Sequence, residues 1–326
     1  MDQSHILNLD YTHKSEFFDG FISPRFSAGL TVNRNHNFRA SVQTGFRNPT
    51  TQDLFIGLDA GRARLVGSAP NNLDRYSNDF NPSLTAQALG FAAPGVPITQ
   101  TGRSAYENSY TLSSVEAFAA SGGASPLEVA NPDLATPEQV TSLEVGYRGK
   151  FDNLIVDFSA YHSTYNDFLS TEVVIAPLYG NVSDNSIVPL PPALGLPQLS
   201  QGAWAVANGD FTPYSAYTNS RAVIKSYGAA LGLSTKVLSD FDLSANYTYA
   251  YLDHDTDKYP DFNTNFNTPE HKFKASFGNP QLFKNFGFNI AYRYSVEYEW
   301  EASFGNGTIP EFQTVDAQIN YAVPSL

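Results

Sequence analysis

Between Phe286 and Trp300 every even-numbered position holds a large apolar or aromatic side chain: Phe286, Phe288, Ile290, Tyr292, Tyr294, Val296, Tyr298 and Trp300. The odd-numbered positions are small, polar or charged, among them Asn289, Arg293, Glu297 and Glu299. Successive side chains of a strand point to opposite faces, so this segment has one oily face and one wet face. Globular strands average roughly five or six residues, whereas a strand tilted across a hydrocarbon core needs roughly nine to eleven. The pattern predicts a transmembrane strand whose eight even-numbered side chains face lipid.

The same period-two pattern returns along the chain. Phe241, Leu243, Ala245, Tyr247, Tyr249 and Tyr251 alternate with Asp242, Ser244, Asn246 and Thr248, which puts Leu243, Tyr247 and Tyr249 on a second lipid-facing surface. Similar alternation marks 38–46 and 143–151, and further segments of strand character lie at 26–33, 154–168, 223–237, 272–278 and 312–323, with a weaker one at 5–13. About ten antiparallel strands are predicted, forming an all-β transmembrane barrel wall.

The connections sort by parity, as expected of an outer-membrane barrel with short turns on one side and long loops on the other. Tight links at 34–37, 150–153 and 238–240 alternate with very long ones at about 48–137 and 170–221. Only the last pair, 279–285 and 301–310, reads as similar in length.

Composition adds limits. The chain of 326 residues has a formal net charge of −13, no Cys and 14% aromatic residues. No apolar run reaches the roughly eighteen residues of a transmembrane helix. A mean hydropathy of −0.27 reads as soluble, but averaging over two unlike faces hides an apolar one. Nucleic-acid binding is excluded as a reading, because 19 basic residues are scattered among 32 acidic ones. No HExxH, GxSxG, GxGxxG or P-loop motif occurs and the six His are scattered singly, so neither catalysis, a metal site nor a cofactor is predicted. Asp253, Asp255, Asp257 and Asp261 resemble a calcium loop, but Lys258 and Thr264 stand where an EF-hand needs Gly and Glu.

Candidate ligand contacts lie near the long-loop side. Loops beyond about fifteen residues without regular structure are commonly functional, and aromatics on adaptable loops grasp small molecules well. This singles out Tyr106 and Tyr110 in the first long loop, and Tyr179, Trp204 and Tyr214 in the second. Glu297 and Glu299, with Glu301, recur at spacing two on the lumen side near the mouth, where water keeps them ionised and suits them to ligand contact rather than acid catalysis. Arg47, just before the first long loop, is placed to meet a ligand or to pair with a neighbouring acid.

Three motifs resemble a known family. Gly45-Phe46-Arg47-Asn48-Pro49-Thr50 is similar to the Gly-Phe-Arg-x-Pro-Thr strand end of TonB-dependent receptors. Asn131-Pro132-Asp133-Leu134 with Pro137-Glu138, then Glu144-Val145-Gly146-Tyr147, looks like the family's Asn-Pro-x-Leu-x-Pro-Glu and Glu-x-Gly-Tyr segments; Ile309-Pro310 with Thr314-Val315-Asp316-Ala317 is similar to its late-barrel strand. The flavour is closest to receptors of Bacteroidetes-type bacteria. The resemblance implies an outer-membrane location and a 22-stranded, plugged barrel. It also implies energy-coupled uptake of a ferric siderophore, haem, vitamin or glycan held by the outer loops, and a TonB-type energy-coupling partner acting through an N-terminal region. Residue one leads straight into barrel-like sequence and Pro324-Ser325-Leu326 stands where a turn is due, so residues 1–326 are expected to be part of such a barrel, without plug or last strands. The alternatives are a passive channel or structural barrel of the same fold, and a secreted soluble β-rich binding module.

Overall fold

In the computed structural model the described residues are 3–11 (backbone only), 21–190, 197–238, 240–302 and 305–323. Ten strands form one antiparallel sheet in strict chain order. They are β1 (Gln3–Tyr11), β2 (Ile22–Val32), β3 (His36–Arg47), β4 (Glu138–Phe151), β5 (Leu154–Asn166), β6 (Ile224–Val237), β7 (Phe241–Asp253), β8 (His271–Phe283), β9 (Phe286–Ser295) and β10 (Phe312–Tyr321). Each corresponds to one of the segments read from alternation; residues 12–13 of the first and the final 324–326 lie outside the described residues.

Register turns the alternation of single strands into two continuous faces. One row across the sheet runs Phe38, Tyr147, Phe158, Leu231, Tyr247, Phe273, Tyr294. The row beside it runs Asn37, Arg148, Asp157, Gly232, Asn246, Lys274, Arg293. Adjacent rows point to opposite faces, so a slip of one residue would exchange them wholesale. Hollows of about 530 and 280 Å³ open on the polar face, lined by residues such as Arg25, Arg39 and Glu144 in the first and Lys274, Arg293 and Asp316 in the second, which marks it as the inner side. There Asp157 stands between Arg39 (3.8 Å) and Arg148 (3.9 Å), and Arg293 pairs with Asp316 at 3.3 Å.

Among the described residues the apolar face has no protein partner. Leu243 and Tyr247 are each 40% exposed and Ile290 45%, values no core side chain would show. The packed core lies elsewhere, in the long connections, where three clusters of buried apolar residues gather.

Parity of the connections holds to the end. Two- or three-residue turns at 33–35, 152–153, 238–240 and 284–285 alternate with 48–137, 167–223, 254–270 and 296–311. The apparent exception in the last pair disappears because β8 runs through an irregularity between Asn279 and Phe283, leaving Lys284 and Asn285 as the whole turn. Left-handed backbone at Asn33, Arg34, Asp152 and Leu238 makes the other tight turns.

A second correction concerns the strand after Ser295. The wall strand stops there, although alternation continues to Trp300. Beyond it the amide of Val296 still bonds the His271 carbonyl at 3.2 Å, but His271 is where the neighbouring strand begins. The ribbon Tyr298–Ala302 pairs instead with Gly305–Ile309. Glu301 then turns it toward the third long connection, accepting hydrogen bonds from Asn265 N at 2.6 Å and Thr264 Oγ1 at 2.8 Å. Val296, Tyr298 and Trp300 therefore leave the wall, and the apolar face of β9 ends at Tyr294.

Candidate ligand-binding site at the long-loop mouth

The long connections are not irregular, as the sequence suggested, but fold together. Strand Leu169–Pro177 of the second connection is central: it pairs with Phe211–Asn219 of the same connection, Tyr110–Thr111 of the first and Phe262–Asn263 of the third. Strand Arg64–Val66 lies parallel to 214–216, and Gly57–Asp59 pairs with it. Nearly every residue from Leu169 to Pro177 is buried on both faces. Gly180 lets helix Gln201–Ala207 seat close by: its φ of 81° and backbone contact at 201–202 leave no room for a Cβ.

The motif residues anchor this body to the wall. Arg47 ends β3 and Glu138 opens β4; their side chains meet at 2.9 Å. The same Glu138 carboxylate accepts the Leu169 amide at 2.9 Å, and Arg47 donates to the Leu169 carbonyl at 2.5 Å. Immediately after, Thr50 caps helix Thr51–Phe55 in a reciprocal pair with Asp53. Arg47 is thus committed to an acid rather than presented to a ligand, and Glu138, absent from the sequence-level candidates, is the residue that joins three segments.

The five aromatics singled out from sequence are interior. Tyr106 is buried and its hydroxyl donates to the carbonyls of Val66 (3.1 Å) and Tyr217 (3.0 Å). Tyr110 packs with Val115, Phe118 and Ile175, and Tyr214 is fully buried beside Val174 and Ala216. Tyr179 donates to Asp210 at 2.9 Å while Phe91 lies against both it and Trp204. Burial pushes the Tyr106, Tyr179 and Tyr214 phenols upward. Large apolar rings in long connections found each other, because burying them offsets the entropy of ordering the loops.

Surface chemistry at the mouth is acidic. Connections 48–137, 167–223, 254–270 and 296–311 hold 20 Asp and Glu against 6 Lys and Arg, a net of −14; the rest of the chain holds 12 against 13. Glu297 and Glu299 line a hollow of about 450 Å³ with Glu270, Glu301 and His254. There Glu299 accepts from Thr308 Oγ1 at 2.6 Å, whereas Glu297 has no side-chain partner among the described residues. A larger cleft of about 580 Å³ lies where the first three connections meet, lined by Ser113, Glu128, Glu172, Arg221, Lys258 and Asp261 among others. Burial raises the Glu172 carboxyl, an effect that Arg221 opposes and Asp261 and Asp133 reinforce. Asp261 is also raised by burial, with the Ser113 amide and hydroxyl pulling the other way.

A family profile described as TonB dependent receptor-like, beta-barrel matches residues 5–326. The chain belongs to the TonB-dependent receptor β-barrel family. Solved receptors share the fold at low identity. The ferric enterobactin receptor PfeA from Pseudomonas aeruginosa is 9% identical with a TM-score of 0.55, over 99% of this chain and 36% of that one. The siderophore receptor PirA from Acinetobacter baumannii is 10% identical with a TM-score of 0.51, over 98% and 37%. The copper transporter OprC is 13% identical with a TM-score of 0.50, over 94% and 32%. The chain thus spans about a third of these receptors. No curated protein sequence matches it. The two organisms named are not Bacteroidetes, and the Bacteroidetes flavour of the motifs stays an expectation.

Proposed function

We propose that this chain is wall and outer mouth of a bacterial outer-membrane receptor that takes up a scarce nutrient by TonB-type energy coupling. The observation that carries the reading is the one-sided sorting of connections: the long ones alternate with tight turns and so share one side of a two-faced sheet, where strands of the first three pair with one another and Glu301 of the fourth bonds to the third. Leu243, Tyr247, Tyr249 and the even-numbered residues of β9 from Phe286 to Tyr294 meet lipid. The inner face lines a wet lumen. Ligand is captured by the outer body, through clefts at the junctions of its connections rather than through its buried aromatics. Glu297 is a contact of this kind.

The chain spans about a third of its relatives' length, and energy coupling is proposed for the whole receptor. The test is growth of cells carrying the full-length receptor on a limiting nutrient panel of iron chelates, haem, cobalamin and glycans. Loss of the receptor should abolish use of one nutrient, and disabling the coupling protein should do the same with the receptor still present. Uptake that persists without coupling would make the barrel a passive channel.

A further inference from the structure

The cleft at the junction of the first three connections is more than an acidic patch. Its volume of about 580 Å³ falls within the range of about 300–1,000 Å³ usual for small-molecule sites. Glu172, on the central strand Leu169–Pro177, is only 8% exposed, yet its carboxylate accepts no side-chain hydrogen bond among the described residues. Its one counter-ion, Arg221, stands 3.9 Å away and gives an N–H to the Ala130 carbonyl at 2.8 Å. A carboxylate this deep without a hydrogen-bonding donor is costly, and a ligand donor reaching it through the cleft would relieve that cost.

The remaining charges have the same sign bias. Asp261 is held by the Ser113 amide and hydroxyl, while the side chains of Glu128 and Asp257 have no hydrogen-bond or ion-pair partner among the described residues. Lys258 lies over the Tyr259 ring at 5.1 Å. Four carboxylates thus face two cations in a mouth whose four connections carry a net charge of −14. Among the described residues no three Asp, Glu or His side chains come close enough together to hold a metal ion. Carboxylates so spread suit a ligand with separated N–H donors.

We propose that this cleft recognises an organic cation, with the Glu172 carboxylate as its principal counter-ion, and that the receptor's substrate is cationic rather than anionic. The assignment rests on reading the chain as a receptor mouth and narrows the substrate class. The acidic mouth raises the local concentration of cations and repels anions; the buried Glu172 supplies the short-range contact.

The test uses the full-length receptor in detergent micelles, titrated calorimetrically with spermidine, citrate and calcium chloride. Spermidine should bind and citrate should not. Glu172→Gln should weaken spermidine about tenfold or more, as expected when one partner of a desolvated charge pair is lost. Glu128→Gln, an exposed change at the lip that the fold tolerates, should weaken it about twofold to threefold, an exposed-pair effect. Asp79→Asn, on the separate ribbon Ser77–Phe80, should leave it unchanged. Spermidine affinity indifferent to both Glu172→Gln and Glu128→Gln overturns the cleft assignment. Preference for citrate, or calcium binding that spermidine fails to displace, overturns the charge assignment. Energised uptake of an anionic nutrient would sink this inference with the receptor reading intact, whereas uptake indifferent to coupling would sink that reading whatever spermidine does.

Discussion

Glu138 is 7% exposed and holds together the ends of two wall strands and the start of the central outer strand, through Arg47 and the Leu169 backbone. Replacing it with Gln keeps the shape and removes the charge that both partners use. A buried, charge-assisted acceptor of this kind is worth roughly 1–3 kcal/mol, so Glu138→Gln should lower the thermal unfolding midpoint of the full-length receptor in micelles, and a midpoint unchanged from wild type would show that the clamp is idle. Glu172 behaves oppositely. Burial and the nearby Asp261 and Asp133 raise its folded pKa above the unfolded value, against the pull of Arg221. The folded state therefore holds its proton more tightly, so the penalty is absent below the unfolded pKa and complete above the folded one. Stability of the outer body should rise as pH falls from neutral through that window, and Glu172→Gln should flatten the rise. Thermal midpoints collected against pH decide it. Neither residue stood out in the sequence: Glu138 sits in a recognisable motif, but its partner at Leu169 is brought near only by the fold, and an acid in the run Leu169–Pro177 carries no local sign of burial.

Elements were legible where they meet two different solvents. A wall strand with water on one side and an apolar environment on the other must alternate, and all ten such strands can be read from the chain. The outer strands cannot be, because Leu169–Pro177 is buried on both faces and has no reason to alternate. The outer helices, of five to nine residues, are too short to display a helical period. Alternation also says nothing about which neighbour a strand pairs with, which is why Tyr298 and Trp300 read as wall although their ribbon pairs with Gly305–Ile309. The prediction at this scale sets neighbours on β9 against each other. Arg at Ile290, on the apolar face, should cost roughly 2–4 kcal/mol of folding stability in lipid, and Arg at Asn289, exposed on the inner face, much less. Equal costs, measured by denaturant unfolding in vesicles, would mean that β9 does not separate lipid from lumen.

At the scale of the whole molecule the usual arrangement is inverted: the sheet is a thin wall with its apolar side uncovered, and the packed core belongs to the connections. Roughly half the chain is thus spent on a body at one rim, built from connections that parity places together. That one-sidedness is the central claim, and the absence of Cys makes it directly measurable. Single cysteines placed at Asn185, exposed in the second long connection, and at Asn153, exposed in a two-residue turn, can be probed with a membrane-impermeant maleimide on intact cells carrying the full-length receptor. Cysteine at 185 should label at once, and cysteine at 153 only after the outer membrane is permeabilised; labelling of both in intact cells, or of 153 alone, would contradict a wall that spans the membrane with its long connections outside.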